Sequence, residues 1–157
     1  QAGGCSKVII TDMIDAKLEL AASYGMLPVN IARQDLQSVV DGATGGWGVD
    51  IALEASGSAS SIAEIFKPLC PGGRVVFIGM PVEPVPVDIV AAQAREARIE
   101  TVFRYAHQYP RALSLLESGK IAVKSLITDR YKFADAVKAF EYAANPRPNT
   151  VKTVIEM

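Results

Sequence analysis

Val8-Ile9-Ile10-Thr11-Asp12 is a short apolar run closed by a carboxylate, and it reads as a buried strand. When such a strand is the second of a dinucleotide-binding unit, the acidic residue at its end accepts hydrogen bonds from the adenosine ribose. The glycine fingerprint of the unit then belongs about 20 residues earlier. Only eleven residues precede Asp12, and they contain Gly3-Gly4 but no Gly-x-Gly-x-x-Gly. Either the carboxylate simply prepares the turn after a strand, or the sequence starts part way through a larger enzyme. The rest of the chain favours the second reading.

Outward from this run, Val- and Ile-rich stretches alternate with amphipathic ones as far as residue 103. Strands are expected at 8–11, 28–31, 49–54 and 74–78, and helices at 15–24, 34–41 and 58–69. Pro71-Gly72-Gly73 reads as a reverse turn between the third helix and the fourth strand. The rhythm implies an α/β fold with a Rossmann-like parallel sheet, covered on both faces and lacking its first strand and glycine fingerprint. Right-handed crossovers would bring Asp12, Ser56-Gly57 and Gly79-Met80 to one edge. Pro81, Pro84 and Pro86 then rule out a central strand and suggest a connector. A helix at 89–97 and a strand at 99–103 follow. Beyond Arg104 the periodicity is mostly helical, over 109–118 and 133–144, with a terminal strand at 150–155. A boundary near 103 gives residues 1–102 as a partial dinucleotide-binding domain.

Composition excludes several function classes. Half of the 157 residues are hydrophobic and the formal net charge is -1, so no basic footprint for nucleic acid or an anionic membrane is present. No run reaches the length of a membrane span, and no basic-then-apolar leader follows Gln1. Cys5 and Cys70 match no metal spacing, and His107 is the single histidine. Free thiols fit a reducing, cytoplasmic location.

Asp12 is the sharpest single residue: a carboxylate there accepts from both ribose hydroxyls and repels a 2'-phosphate, favouring NAD. Lys17 either reaches the adenosine side or is a solvated helix lysine. Gly57 and Gly79 end strands where backbone can approach a ligand or simply turn. The Ile78-Gly79-Met80 backbone is placed to contact a flat ring. Gly45-Gly46-Trp47-Gly48 lacks the Lys-Ser/Thr of a triphosphate loop and precedes a strand, so it reads as a surface turn. Arg104 and Tyr105 are candidates for holding a substrate hydroxyl, with a surface ion pair and packing as the respective alternatives. His107 reads as a solvent or packing histidine.

With these residues in hand, the chain resembles the zinc-dependent medium-chain alcohol and polyol dehydrogenases, particularly the sorbitol and xylitol dehydrogenase branch. The stretches that carry the resemblance are Val8 to Asp12, Gly48 to Gly57, Gly72 to Met80, and Val102-Phe103-Arg104-Tyr105, the last being the most specific. The resemblance implies that Asp12 binds the adenosine ribose, with Lys17 where the family has a nearby arginine. Ile78, Gly79 and Met80 would flank the nicotinamide of NAD, joined by Val102, Phe103 and Arg104. Arg104 and Tyr105 would face a sugar-alcohol substrate. Residues 103–157 would be the C-terminal part of the catalytic domain. Zinc ligands would lie in an N-terminal part that is missing here, so the chain alone is expected to be inactive. The family's assembly implies a homodimer or homotetramer formed by sheet extension at 99–103. A zinc-free medium-chain reductase and a non-catalytic nucleotide-binding domain remain the competing readings.

Overall fold

The structure, a computed structural model, describes residues 3–157. In chain order its elements are β1 (Ile9–Asp12), α1 (Asp15–Ser23), β2 (Leu27–Asn30), α2 (Leu36–Thr44), β3 (Val49–Glu54), α3 (Ala59–Glu64), β4 (Leu69–Phe77), α4 (Ile89–Ala94) and β5 (Arg98–Thr101). Then come α5 (Tyr109–Glu117), β6 (Ile127–Lys132), α6 (Ala136–Ala144) and β7 (Lys152–Glu156). Every strand pair is parallel. Parallel neighbours need a crossover, and helices supply it between consecutive strands. The expected α/β class with open parallel sheets is therefore what forms. The strands pair as β1-β2, β3-β4-β5 and β6-β7 rather than as one continuous sheet.

The chain divides into two compact units. One is residues 34–107; the other joins the stretch up to Arg33 with 108–157. In the 34–107 unit, Ala52 of β3 stands opposite Val75 of β4, and both are buried. Phe66, Leu69 and Ala92 complete that core. Phe66 and Leu69 are almost wholly buried, which stabilises the fold by roughly 1.5–3 kcal/mol for each. Ile51 and Leu53 alternate with Ala52 onto the opposite face and stay exposed, so in this unit the sheet is not covered on both faces. In the other unit α1 packs Leu18 and Ala21, one turn apart, with buried Val29 of β2 beneath. The Tyr24 hydroxyl meets Ser125 and the Ala122 carbonyl, tying the early segment to the later one. The Tyr131 and Tyr142 rings lie 5.9 Å apart, linking β6 to α6.

Several elements differ from expectation. The helix expected over 58–69 stops at Glu64, and Leu69 already belongs to β4. Val49 pairs with Leu69 but Ile51 with Arg74, so β4 carries extra residues at this point. Pro71-Gly72-Gly73 thus forms a bulge inside a strand, because a proline without an N–H interrupts the ladder without ending it. β6 is a further strand in a stretch whose expected periodicity is mostly helical; its side chains alternate half-buried and exposed, the period-2 pattern of a one-sided strand. The strand expected at 99–103 ends at Thr101. The helix expected from residue 133 opens as a 3-10 turn, Phe133–Asp135, before α6.

Candidate functional site

In the unit that joins the stretch up to Arg33 with 108–157, β1 delivers half-buried Asp12 at its carboxyl end, directly opposite Asn30 of β2. The Asp12 Oδ1 accepts the N–H groups of Met13 (2.7 Å) and Ile14 (2.9 Å). The carboxylate therefore does shape the turn after β1, as the plainer reading held. Both of these bonds fall on Oδ1, and none is seen to Oδ2 among the described residues. Nearby, Asn30 donates to Asp15 Oδ1 (2.7 Å) and Arg33 pairs with the same carboxylate. The Asn30 amide and then Arg33 hold Asp15 below the usual carboxylate range. Lys17 lies half-buried on α1.

In the 34–107 unit, β3, β4 and β5 end side by side. Phe77 pairs with Glu54 on one flank and with Thr101 on the other. The Val102 N–H donates to the Phe77 carbonyl at 2.9 Å and carries the pairing one step past β5. Ile78-Gly79-Met80 and Val102-Phe103-Arg104 thus leave adjacent strands at one edge. Ile78, Met80, Val102, Phe103 and Tyr105 are exposed in the two segments that follow β4 and β5. The Arg104 guanidinium carbon sits 5.1 Å from the centre of the Phe103 ring, within cation–π range. Arg104 adopts φ 58°, a left-handed conformation that side chains other than glycine seldom take. His107, also left-handed at φ 57°, is exposed just before α5.

The two strand-end glycines have a structural reason that their spacing did not disclose. A Cβ on Gly57 (φ 69°) would lie 2.8 Å from the Met80 carbonyl oxygen. One on Gly79 would overlap the Gly57 amide nitrogen. The loops after β3 and β4 are packed backbone to backbone, and only glycine permits it. Between them lies Glu54, which sequence reasoning passed over as a strand end. It is 1% exposed. Its Oε1 accepts from the Ser56 N–H (3.0 Å), the Ser56 hydroxyl (2.5 Å) and the Gly57 N–H (3.2 Å); Oε2 accepts from the Gly57 N–H at 3.0 Å. Burial pushes the Glu54 carboxyl up, but the bonds from Ser56 and Gly57 outweigh it, with Ser61 adding to them, and hold it below its ordinary value. The available signal was a carboxylate two residues before Ser56-Gly57.

Cys70 is buried and Cys5 exposed, both as free thiols. Burial, with the Asp50 carboxylate alongside, pushes the Cys70 thiol up and away from nucleophilic reactivity. Among the described residues no three His, Cys, Asp or Glu side chains are grouped to hold a metal ion. The zinc implied by the resemblance therefore finds no ligand set in them. No helix among them is long and apolar enough to cross a membrane.

A family profile described as zinc-binding dehydrogenase matches residues 1–118. The chain belongs to that family. A D-xylulose reductase of Morganella morganii is 49% identical over 147 residues, spanning 92% of this chain and 44% of that protein. An L-arabinitol 4-dehydrogenase of Aureobasidium melanogenum is 31% identical over 99% of this chain and 44% of its own length. A crystal structure of an Escherichia coli oxidoreductase/dehydrogenase of unknown specificity superimposes with a TM-score of 0.90 at 29% identity. It covers 98% of this chain and 44% of that one. The chain thus spans a little under half the length of the relatives it matches.

Proposed function

We propose that the protein carrying this chain is an NAD-dependent polyol dehydrogenase that oxidises a secondary hydroxyl of a xylitol- or sorbitol-type sugar alcohol to a ketose. The observation that carries this reading is the 49% identity to a D-xylulose reductase across nearly the whole chain. Residues 1–102 supply the coenzyme-binding part, and 103–157 the C-terminal part of the catalytic domain.

The residues present suit a nicotinamide dinucleotide. Asp12, with Oδ1 spent on the turn, takes the adenosine ribose, and Lys17 lies on the helix that follows. Ile78, Gly79, Met80, Val102 and Phe103 form the rim for the nicotinamide, and Arg104 borders both ligands. Arg104 and Tyr105 offer donors to the polyol hydroxyls. When bound, NAD supplies the hydride acceptor for the carbon bearing the hydroxyl. The apolar rim excludes water from that face of the ring. No group here is assigned as acid or base, and the zinc ligands of this reading lie outside the chain. The exposed edge strand β5 and its continuation, 99–103, form the contact through which copies pair as a homodimer or homotetramer. The compartment of this reading is cytoplasmic.

The test is steady-state oxidation of xylitol and sorbitol with NAD, before and after chelation, on wild type and Arg104→Ala. Turnover that chelation abolishes is expected, with Arg104→Ala lowering polyol turnover more than NAD affinity. Turnover surviving chelation would mark a zinc-free reductase. NAD binding without turnover of any polyol would leave a non-catalytic nucleotide-binding domain. An Arg104→Ala effect confined to NAD affinity would make that residue a coenzyme contact alone.

A further inference from the structure

We propose that Glu54 is a positioning residue for hydride transfer: its carboxylate fastens the loop after β3 to the loop after β4 and so fixes the backbone of Gly79 and Met80 against the coenzyme ring. The proposal rests on the reading that Ile78 to Met80 flank the nicotinamide.

Glu54 works from both ends of the residue. Its side chain gathers the Ser56 hydroxyl and the N–H groups of Ser56 and Gly57. Its main-chain carbonyl accepts the N–H groups of Ile78 (2.7 Å) and Gly79 (2.9 Å). One residue therefore sets the start of both loops. The carboxylate also backs directly onto the second loop, since a Cβ on Gly79 would lie 2.7 Å from Oε2. Gly57, held by that carboxylate, stands against the Met80 carbonyl. The path from Glu54 to the exposed rim is thus one carboxylate, one glycine and one peptide, all in contact.

An ionised carboxylate suits this place because it only accepts, and every group facing it is a donor. Glutamine would turn an NH2 towards the Gly57 N–H or the Ser56 pair, donor against donor. The Gly57 loop would have to move, and Met80 with it. Displacements of about 1 Å far from the reacting atoms cost up to about a hundredfold in rate when the lost term is alignment. Affinity would suffer less, because on that reading the peptide that moves touches only the nicotinamide end of the coenzyme.

The experiment compares wild type, Glu54→Gln, Glu54→Asp and Ser56→Ala in the full-length enzyme. Readouts are kcat with a polyol, KM for NAD, NADH binding by fluorescence, and melting temperature. In Glu54→Gln we expect kcat to fall about 10- to 100-fold with KM for NAD changed less than about threefold. Glu54→Asp, which keeps the charge, should recover part of the loss. Ser56→Ala, which removes one donor, should show a smaller fall of the same kind, and it decides the matter if the glutamine variant does not fold. Variants that melt lower yet keep the wild-type kcat below their melting temperature would overturn the proposal and leave Glu54 a folding role. Wild-type protein that binds no NADH would overturn the underlying reading first, an outcome distinct from the kcat comparison.

Discussion

At Glu54, burial raises the carboxyl while the Ser56 hydroxyl and the Gly57 and Ser56 amides lower it further, so the folded value falls below the ordinary 4.5. A depressed carboxylate contributes stability that is fully present above the unfolded value and is lost as pH falls through the folded one. Glu54→Gln should therefore destabilise the fold near neutral pH by about 1.5–3 kcal/mol, the scale of hydrogen bonds to a charged group. The gap to wild type should close as the pH is taken below 4.5. Urea melts of both proteins at neutral and acidic pH check this; an equal gap at both would mean that the buried carboxyl is not ionised. The place of Asp12 at the end of β1 was legible in the sequence because strand-end position and charge are both local properties. Glu54 was not, because its meaning depends on Gly79, which is distant in sequence and adjacent only after β3 and β4 pair. The strand-end glycines were visible, yet their reason was not: spacing cannot say whether a ligand or another loop comes close.

Among the elements, the turn between α2 and β3 makes a sharp prediction. Gly48 has φ 94°, and a Cβ there would come within 2.8 Å of the Cys70 nitrogen and the Pro68 oxygen, both main-chain atoms that cannot swing aside. Gly48→Ala should cost well over about 1 kcal/mol, because strain and overlap add to the loss of a permitted glycine conformation. Gly45 caps α2 at φ 63° with open space around it, so Gly45→Ala meets no overlap and should cost less. Urea midpoints of the two variants test the order, and a reversed order would contradict the packing described. The strand-helix alternation up to β5 was readable because short Val-, Ile- and Leu-rich runs at β1, β3 and β4 are set between segments of helical periodicity. Two features escaped for physical reasons. Pro71-Gly72-Gly73 carries every mark of a turn, and only the partner strand shows that β4 begins before it. Ile127 to Lys132 alternates correctly for a strand but is half polar, and flanking helical periodicity masked it.

For the whole molecule, the edge of the β3-β4-β5 sheet bears on assembly. All four residues of β5 are exposed and no strand pairs with its outer side among the described residues. Because Val102 donates inward to Phe77, alternation turns the Thr101 N–H outward. Thr101→Pro should therefore leave the pairing with β4 intact while removing one donor from the outer edge. The proposed sheet extension predicts a shift toward monomer in sedimentation, with circular dichroism unchanged. A folded variant of the parent's mass would show that copies do not depend on this strand. The proposed coenzyme reading puts the adenosine ribose at Asp12, at the end of β1. The direct test of that reading is coenzyme choice at Asp12, measured as kcat/KM for NAD and NADP in wild type and Asp12→Ser. Wild type should strongly prefer NAD. The variant should lose about tenfold or more with NAD, the scale of a charged hydrogen bond, and discriminate less against NADP. An unchanged preference in Asp12→Ser would contradict the account.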